Sequence, residues 1–374
     1  MVEKAKTFFY RYFELIIIVF ILLLVFISDQ GNADYNSFHY AARMISEGDG
    51  KDIYDPEKLN QRAEEDGLYA YPYLYPPFFA TMLIPLSQLE THKAYWIYFV
   101  ILIPFLFLFF RYLKIIYHDK NKPYKLLFIF IAAVLSSSTT RNLTLGQSNI
   151  IVFSLWVVSL KMFMDRKSIL PSILLSISIL IKLIPAASLL ILFFDKRYKD
   201  IFLTILSSIV LILITILISG FRLWEIYLGN FFAISSHSTG DTGIRKLFEM
   251  TVPSYQSLWI LIPIVFLIFM IYYRKNIGLK NGWALISGLF LIATPLLWAV
   301  SILPFFTALS YYPSKVKNIY LRFGFYIVGL LATMRYSLYG LFVYRIIPIS
   351  ILLIIVLFIE GREYFKYVDS ESGL

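Results

Sequence analysis

The sequence predicts an all-α, polytopic membrane protein, and three observations carry that prediction. Hydrophobic residues make up 59% of the chain and charged residues only 16%, against roughly 25% charged residues in a soluble domain. The apolar residues gather into runs of the kind that cross a bilayer as helices. Lys and Arg sit in short clusters between those runs, where they act as topology signals. The formal charge of +10 therefore belongs to topology, and no nucleic-acid partner is expected. The chain has no Cys, which excludes disulfides, thiol catalysis and Cys-ligated metal. His39, His92, His118 and His237 lack HExxH or any other metal-ligand spacing, so neither a metal nor another cofactor is expected.

Taken in order, Lys4, Lys6 and Arg11 precede the apolar run 13–27, placing the N-terminus in the cytoplasm by the positive-inside rule. The following DQGNAD offers no small-residue cleavage site, so this run is expected to be the first transmembrane helix. Residues 29–75 then form a polar, acidic interval, the first external loop. It contains AARMIS, which has an apolar stripe, and the turn signals GDGK and YDPEK. Short helices on the membrane surface would fit it. In YPYLYPPFFATMLIPLSQL, Pro76, Pro77 and Pro85 disfavour a regular span, so 78–89 is expected to be embedded without crossing.

Residues 94–110 should descend to the cytoplasmic cluster Arg111, Lys114, Lys120, Lys122 and Lys125. Residues 126–136 should ascend, TTRNLTLGQSN should turn outside, and 150–164 should descend to Asp165, Arg166 and Lys167. The next apolar interval has Lys182 and Pro185 at its middle and basic clusters at both ends. One crossing would violate the charge rule, so a hairpin of two short helices with Lys182 near its outer tip is expected. Residues 201–219 ascend and 220–256 form a second external loop. Residues 257–273 descend to Arg274, Lys275 and Lys280. A second hairpin is expected in 283–312, broken at Thr294 and Pro295. Residues 320–334 ascend, and 341–360 descend to a cytoplasmic tail. Counting each hairpin as two helices gives about twelve in a single membrane domain, residues 1–374, with both termini inside.

Lys182 is the most informative interior charge. An ionised Lys at bilayer depth costs about 2.5 to 3.5 kcal/mol on insertion scales, so it calls for an anion such as a lipid phosphate; the bland alternative is snorkelling toward an interface. Asp34 is a carboxylate a few residues past the first span, and by itself such a residue is usually just solvated. GQSN, from Gly146 to Asn149, reads as an outward turn able to bind hydroxyls or simply as a helix cap. YPP at Tyr75 reads first as a rigid turn.

In order, the chain contains DYNSFHYAA from Asp34, EGDGKDIYDP from Glu47, and YPYLYPPFFATMLIPLSQL from Tyr71. LGQSNIIVFSL from Leu145, ILIKLIPAASLLILFFDKR from Ile179 and YQSL from Tyr255 follow. This ordered set resembles glycosyltransferase family 87, polyprenyl-phosphate-mannose-dependent mannosyltransferases of the GT-C superfamily. The resemblance implies a GT-C fold, a lipid-phosphate sugar donor, no metal, and a catalytic Asp at the start of the first external loop, which is Asp34. Lys182 falls on the Lys of the family's IKLxP pattern and is expected to bind the donor phosphate. Gln147 and Asn149 fall on its GQxN pattern; with His39, Tyr75 and Gln256 they are expected to bind substrate. Two departures are present. Tyr255 stands where the family often has Asn, and TPLLWAV places Val300 where the family's SPxxWxH pattern has His, which leaves donor and acceptor identity open.

The function expected on these grounds is transfer of a hexose, mannose favoured, from a polyprenyl-phosphate sugar to a hydroxyl of a lipid-linked or glycolipid acceptor. The site would lie on the outer face of the cell membrane. Asp34 would take the acceptor proton and Lys182 would stabilise the phosphate leaving group, in one inverting, metal-independent displacement. The alternatives are a transporter or flippase of a lipid-linked saccharide, which interrupted helices and a midplane Lys would also suit, and a non-catalytic membrane scaffold.

Overall fold

The computed structural model describes residues 2–27, 32–118, 124–229, 261–272, 278–293, 303, 305–312 and 318–333. Among them the chain is mostly helical: α1 (Val2–Ile27), α2 (Ala33–Glu47), α3 (Pro56–Glu64), α4 (Pro77–Ser87), α5 (Thr91–Tyr117), α6 (Tyr124–Leu135), α7 (Ser137–Thr144) and α8 (Asn149–Met164). They continue with α9 (Ile169–Ile181), α10 (Ser188–Phe194), α11 (Tyr198–Ser219), α12 (Phe221–Gly229), α13 (Leu261–Tyr272), α14 (Leu279–Ala293), α15 (Phe305–Tyr311) and α16 (Ile319–Thr333).

Three helices are long and apolar enough to cross a membrane, at Thr7–Ile27, Thr91–Tyr117 and Tyr198–Ser219. Helix α1 shows how such a sequence serves two solvents. Phe13, Ile17, Ile21 and Val25 are fully buried against the bundle, while Leu15, Val19 and Leu23 are exposed on another face. Both stripes are apolar, as they must be when the outer one meets lipid. Helix α11 goes further, with Phe202, Ile209, Leu213 and Leu217 all exposed. The chain is a membrane protein. The expected number of about twelve spans is not established by these elements. Thr294 and Pro295, the break of the second expected hairpin, lie outside the described residues, although the helices flanking them, α14 and α15, pack on one another. Most of 220–256, the second expected external loop, also lies outside the described residues, α12 being its described part.

Helix α8 is the centre of the bundle, buried from Asn149 to Leu160 between α5 and α9. Serines join these neighbours by donating to main-chain oxygens across the helix contacts, as small polar residues do in membrane bundles. Ser154 Oγ lies 2.6 Å from the Phe105 oxygen, and Ser178 Oγ lies 2.8 Å from that of Val152. Ser176 Oγ reaches the Thr204 oxygen at 2.7 Å. The pairs Ser178 with Val152 and Lys182 with Asn149 run in opposite directions along the chain, so α8 and α9 are antiparallel. The pairs Ser172 with Asp200 and Ser176 with Thr204 advance together, so α9 and α11 are parallel.

Between α9 and α11 the chain reverses at Lys182. Pro185 has no N–H, and its ring would clash with the carbonyl of Ile181 in a continuing helix. Helix α9 therefore stops at Ile181, Lys182 is extended at φ −151° and ψ 127°, and a 3₁₀ turn (Ile184–Ala187) leads into α10. At the other end of α8, Arg197 donates to the Phe163 carbonyl oxygen. The bundle thus has a site end, with Asn149 and Lys182, and a basic end, with Arg166 and Arg197.

One expectation is corrected. The stretch TTRNLT, expected to be part of an outward turn, is mostly helix α7, and only 145–148 turns. Tertiary contacts override its weak local pattern: the Tyr95 hydroxyl meets the orphan carbonyls of Leu143 and Thr144 at 3.3 and 3.1 Å, closing the helix C-terminus. Lys114, one of the basic residues of the expected cytoplasmic cluster, is buried within α5. Its Nζ pairs with Glu14 of α1 at 2.6 Å and donates to the Tyr10 carbonyl at 3.0 Å.

Candidate active site

Asp34 sits in the first turn of α2, and three groups of contacts fix that helix. The Asn36 Nδ2 donates to the Tyr69 carbonyl at 2.8 Å, the Ser37 hydroxyl donates to that of Tyr71, and the Tyr40 hydroxyl donates to the Asp66 carboxylate at 2.7 Å. The chain from Asp66 to Tyr71 is therefore wrapped along α2. At its N-terminus, the Tyr35 N–H donates to the Leu145 carbonyl at 3.0 Å, which pins the first turn of α2 to the GQSN segment.

Gly146 makes that contact possible. Its φ is +66°, and a Cβ there would stand 2.7 Å from the Cβ of Tyr35. Both the left-handed backbone and the close approach require glycine. Tyr75 is set from the other side by its neighbours. The Tyr54 hydroxyl donates to the Tyr75 carbonyl at 2.9 Å, while the Tyr73 hydroxyl donates to the Pro76 carbonyl at 2.9 Å and accepts from the Ala80 N–H at 3.0 Å. With Pro77 at the first position of α4, the YPYLYPP run is a rigid helix entry.

These elements bring five of the expected residues together. The Tyr75 hydroxyl donates to Gln147 Oε1 at 3.1 Å. With its oxygen so engaged, the Gln147 amide presents its NH₂ to Asp34, whose carboxylate it hydrogen-bonds. Lys182 Nζ donates to Asn149 Oδ1 at 2.8 Å and lies 5.6 Å from the centre of the Tyr75 ring, within cation–π range. Asp34, Gln147, Tyr75, Lys182 and Asn149 thus form one connected group.

Electrostatically the group is poised. Burial pushes the Asp34 carboxyl up to about 6, and the Gln147 hydrogen bond and the charges of Lys182 and Arg141 only partly offset that rise. Burial likewise raises the Tyr75 phenol well above its ordinary range, so it remains a donor to Gln147. A carboxylate near 6 is mostly ionised at neutral pH yet basic enough to accept a proton, the range suited to a general base.

His39 is not brought into this group. It is 1% exposed, packed between Tyr35 and Tyr40, with no hydrogen-bond partner for either nitrogen among the described residues. Burial lowers it to about 4, and the charges that reach it are those of Arg43 and Asp66. Five residues along a helix from Asp34, it lies about 140° around the axis. Gln256 and Val300 lie outside the described residues. Asp55, another carboxylate of the loop, is spent on structure: it caps α3 by accepting from the Glu57 and Lys58 N–H groups at 3.0 and 3.3 Å.

Arg141 was not singled out by its sequence. It is exposed on α7, and its charge reaches both Asp34 and Tyr71. One signal was available: a lone Arg in a stretch assigned outside stands against the positive-inside pattern.

The fold and the site define a helical membrane protein with a half-buried carboxylate close to a lysine and an amide pair. The chain belongs to glycosyltransferase family 87, whose model matches residues 73–259, and it is a glycosyltransferase. The matched segment includes Tyr75, Gln147, Asn149 and Lys182 and begins after Asp34. No curated protein matches the chain, and no solved structure does.

Proposed function

We propose that this glycosyltransferase moves a hexose, mannose favoured, from a polyprenyl-phosphate sugar to a hydroxyl of a lipid-linked or glycolipid acceptor at the outer face of the membrane. The observation that carries the reading is the pairing, within one connected group, of a carboxylate raised to about 6 at Asp34 with the ammonium of Lys182.

Asp34 accepts the proton of the acceptor hydroxyl as its oxygen attacks the anomeric carbon. The bond from that carbon to the phosphate oxygen breaks, and the lipid phosphate leaves with the electron pair. Lys182 stabilises the developing charge, and Arg141 supplies a second cation near the same group. A phosphate needs little protonation to leave, so one base and two cations suffice without a divalent metal. A single displacement inverts the anomeric configuration. Gln147, held by Tyr75, orients the carboxylate; Asn149 does the same for the ammonium.

The test is incubation of the purified chain with polyprenyl-phosphate mannose and membrane lipids, with the product detected by mass and its anomeric configuration read by NMR. A new glycolipid of opposite anomeric configuration, absent with Asp34→Asn, is the expected result. Equal product from the Asn variant would remove Asp34 from the mechanism.

A further inference from the structure

The basic end of the bundle, at the far end of α8 from Asp34, holds a cavity of about 380 Å³ lined by Arg166, Arg197, Lys280, Asp195, Asn281 and Tyr311, with Phe163, Met164 and Leu279 on its apolar side. Two helix ends with the same architecture build it. After α8, the N–H groups of Asp165, Arg166 and Lys167 return to the carbonyls of Lys161, Phe163 and Met162; after α10, those of Asp195, Lys196 and Arg197 return to Ile191, Phe193 and Leu192. Both are Schellman-type caps, and the left-handed position of such a cap is usually glycine. Here it is Arg166 at φ 60° and Lys196 at φ 57°. The chain keeps a basic side chain at each of two positions where glycine would cost the backbone less, by about 1 kcal/mol.

We infer that this cavity binds a phosphate group, carried by the headgroup of an anionic lipid in the leaflet opposite the Asp34 site. Arg166, Arg197 and Lys280 line it beside one carboxylate, Asp195, and a second carboxylate, Asp200, pairs with Arg197. Arg197 is fixed by Asp200 and by the Phe163 carbonyl, and Lys280 is placed over the Tyr117 ring at 5.3 Å, with its carbonyl accepting from the Tyr117 hydroxyl at 3.1 Å. Arg166 is exposed at the rim and offers a forked donor that matches phosphate oxygens. The apolar wall, continuing to the exposed Met164, suits the first carbons of an acyl chain. A soluble phosphate ester shares the headgroup chemistry but has no use for that wall.

Arg166→Gly is the variant of choice, because it deletes the guanidinium while relieving the left-handed backbone, so the fold is kept. The full-length chain in neutral detergent is titrated with short-chain phosphatidylglycerol, phosphatidylcholine and inorganic phosphate, with tryptophan fluorescence as readout. Saturable binding of phosphatidylglycerol over phosphatidylcholine is expected, weakened about tenfold or more in Arg166→Gly and in Lys280→Gln, and unchanged in Asp34→Asn. Binding of inorganic phosphate as tight as that of phosphatidylglycerol, lost in the same variants, would keep the site and overturn its assignment to a lipid. Absence of binding, or equal binding by wild type and both variants, would overturn the site itself.

Discussion

The raised carboxyl of Asp34 carries a cost to the fold, and that cost can be measured. With the carboxyl at about 6, roughly nine-tenths is ionised at pH 7 and about one-tenth at pH 5. The rate constant kcat/KM should therefore fall about tenfold from pH 7 to pH 5, with an apparent pKa near 6, when initial rates of glycolipid formation are followed. Asp34→Asn should lose about 10²- to 10⁴-fold and show no such inflection. Stability should respond in the opposite sense. The folded carboxyl lies above its ordinary value of 3.8, so its contribution to folding is present in full below about pH 4 and is lost as pH rises through 6. At pH 8 Asp34→Asn should thus gain on wild type by an amount on the order of 2 kcal/mol relative to their difference at pH 4. Melting curves of both proteins across that range check it; a pH-independent difference would mean the carboxyl is not raised.

The turn that carries Gln147 meets α2 at a close approach between Gly146 and Tyr35. Gly146→Ala would both occupy the left-handed region and push against Tyr35, moving the turn that carries Gln147 away from the helix that carries Asp34. The cost should be about 2 to 4 kcal/mol. Activity should fall in kcat more than in KM, because substrate is still held while the base is displaced; an unchanged kcat in a folded Ala variant would refute this role of the turn. The contact between α1 and α5 includes, beside the packing of Phe13 on Phe110, the buried pair of Glu14 and Lys114. Removing one partner leaves a buried charge alone, so Lys114→Met should destabilise by about 3 to 5 kcal/mol, whereas Glu14→Met combined with Lys114→Met should recover most of the loss. Thermal melting of the single and double variants distinguishes this pair from two independent residues, whose effects would simply add.

For the whole molecule, the reversal at Lys182 places the site end and the basic end at opposite extremes of α8 and α9. Leu183 is 42% exposed beside the site, and Lys167 is exposed at the basic end. The chain contains no Cys, so single cysteines at these positions report alone. Leu183→Cys should react with a membrane-impermeant maleimide added from outside, and Lys167→Cys only after the membrane is opened. Labelling of both from one side would refute the hairpin as a transmembrane feature. Helix α8, buried from Asn149 to Leu160, separates the group around Asn149 and Lys182 from the cavity beside Arg166 and Arg197.

The sequence by itself determined the class, since alternating apolar runs and basic clusters follow from the cost of placing charge in a bilayer, and that cost is local. It also determined the break at Lys182, because Pro185 acts on the carbonyl four residues before it. The family resemblance brought Asp34, Tyr75, Gln147, Asn149 and Lys182 forward as a set, but their connection required the fold: Asp34 meets Gln147 only because Gly146 lets α2 touch a turn more than a hundred residues away. Burial, which raises Asp34, leaves His39 neutral among tyrosines and gives Lys114 an ion-pair partner in Glu14, is a property of neighbours. Arg141 illustrates the limit most clearly. A polar run with weak helical preference became α7 through the Tyr95 hydroxyl, and that helix carries the arginine's charge to Asp34. Such contacts join residues far apart in the chain, and only the tertiary structure decides them.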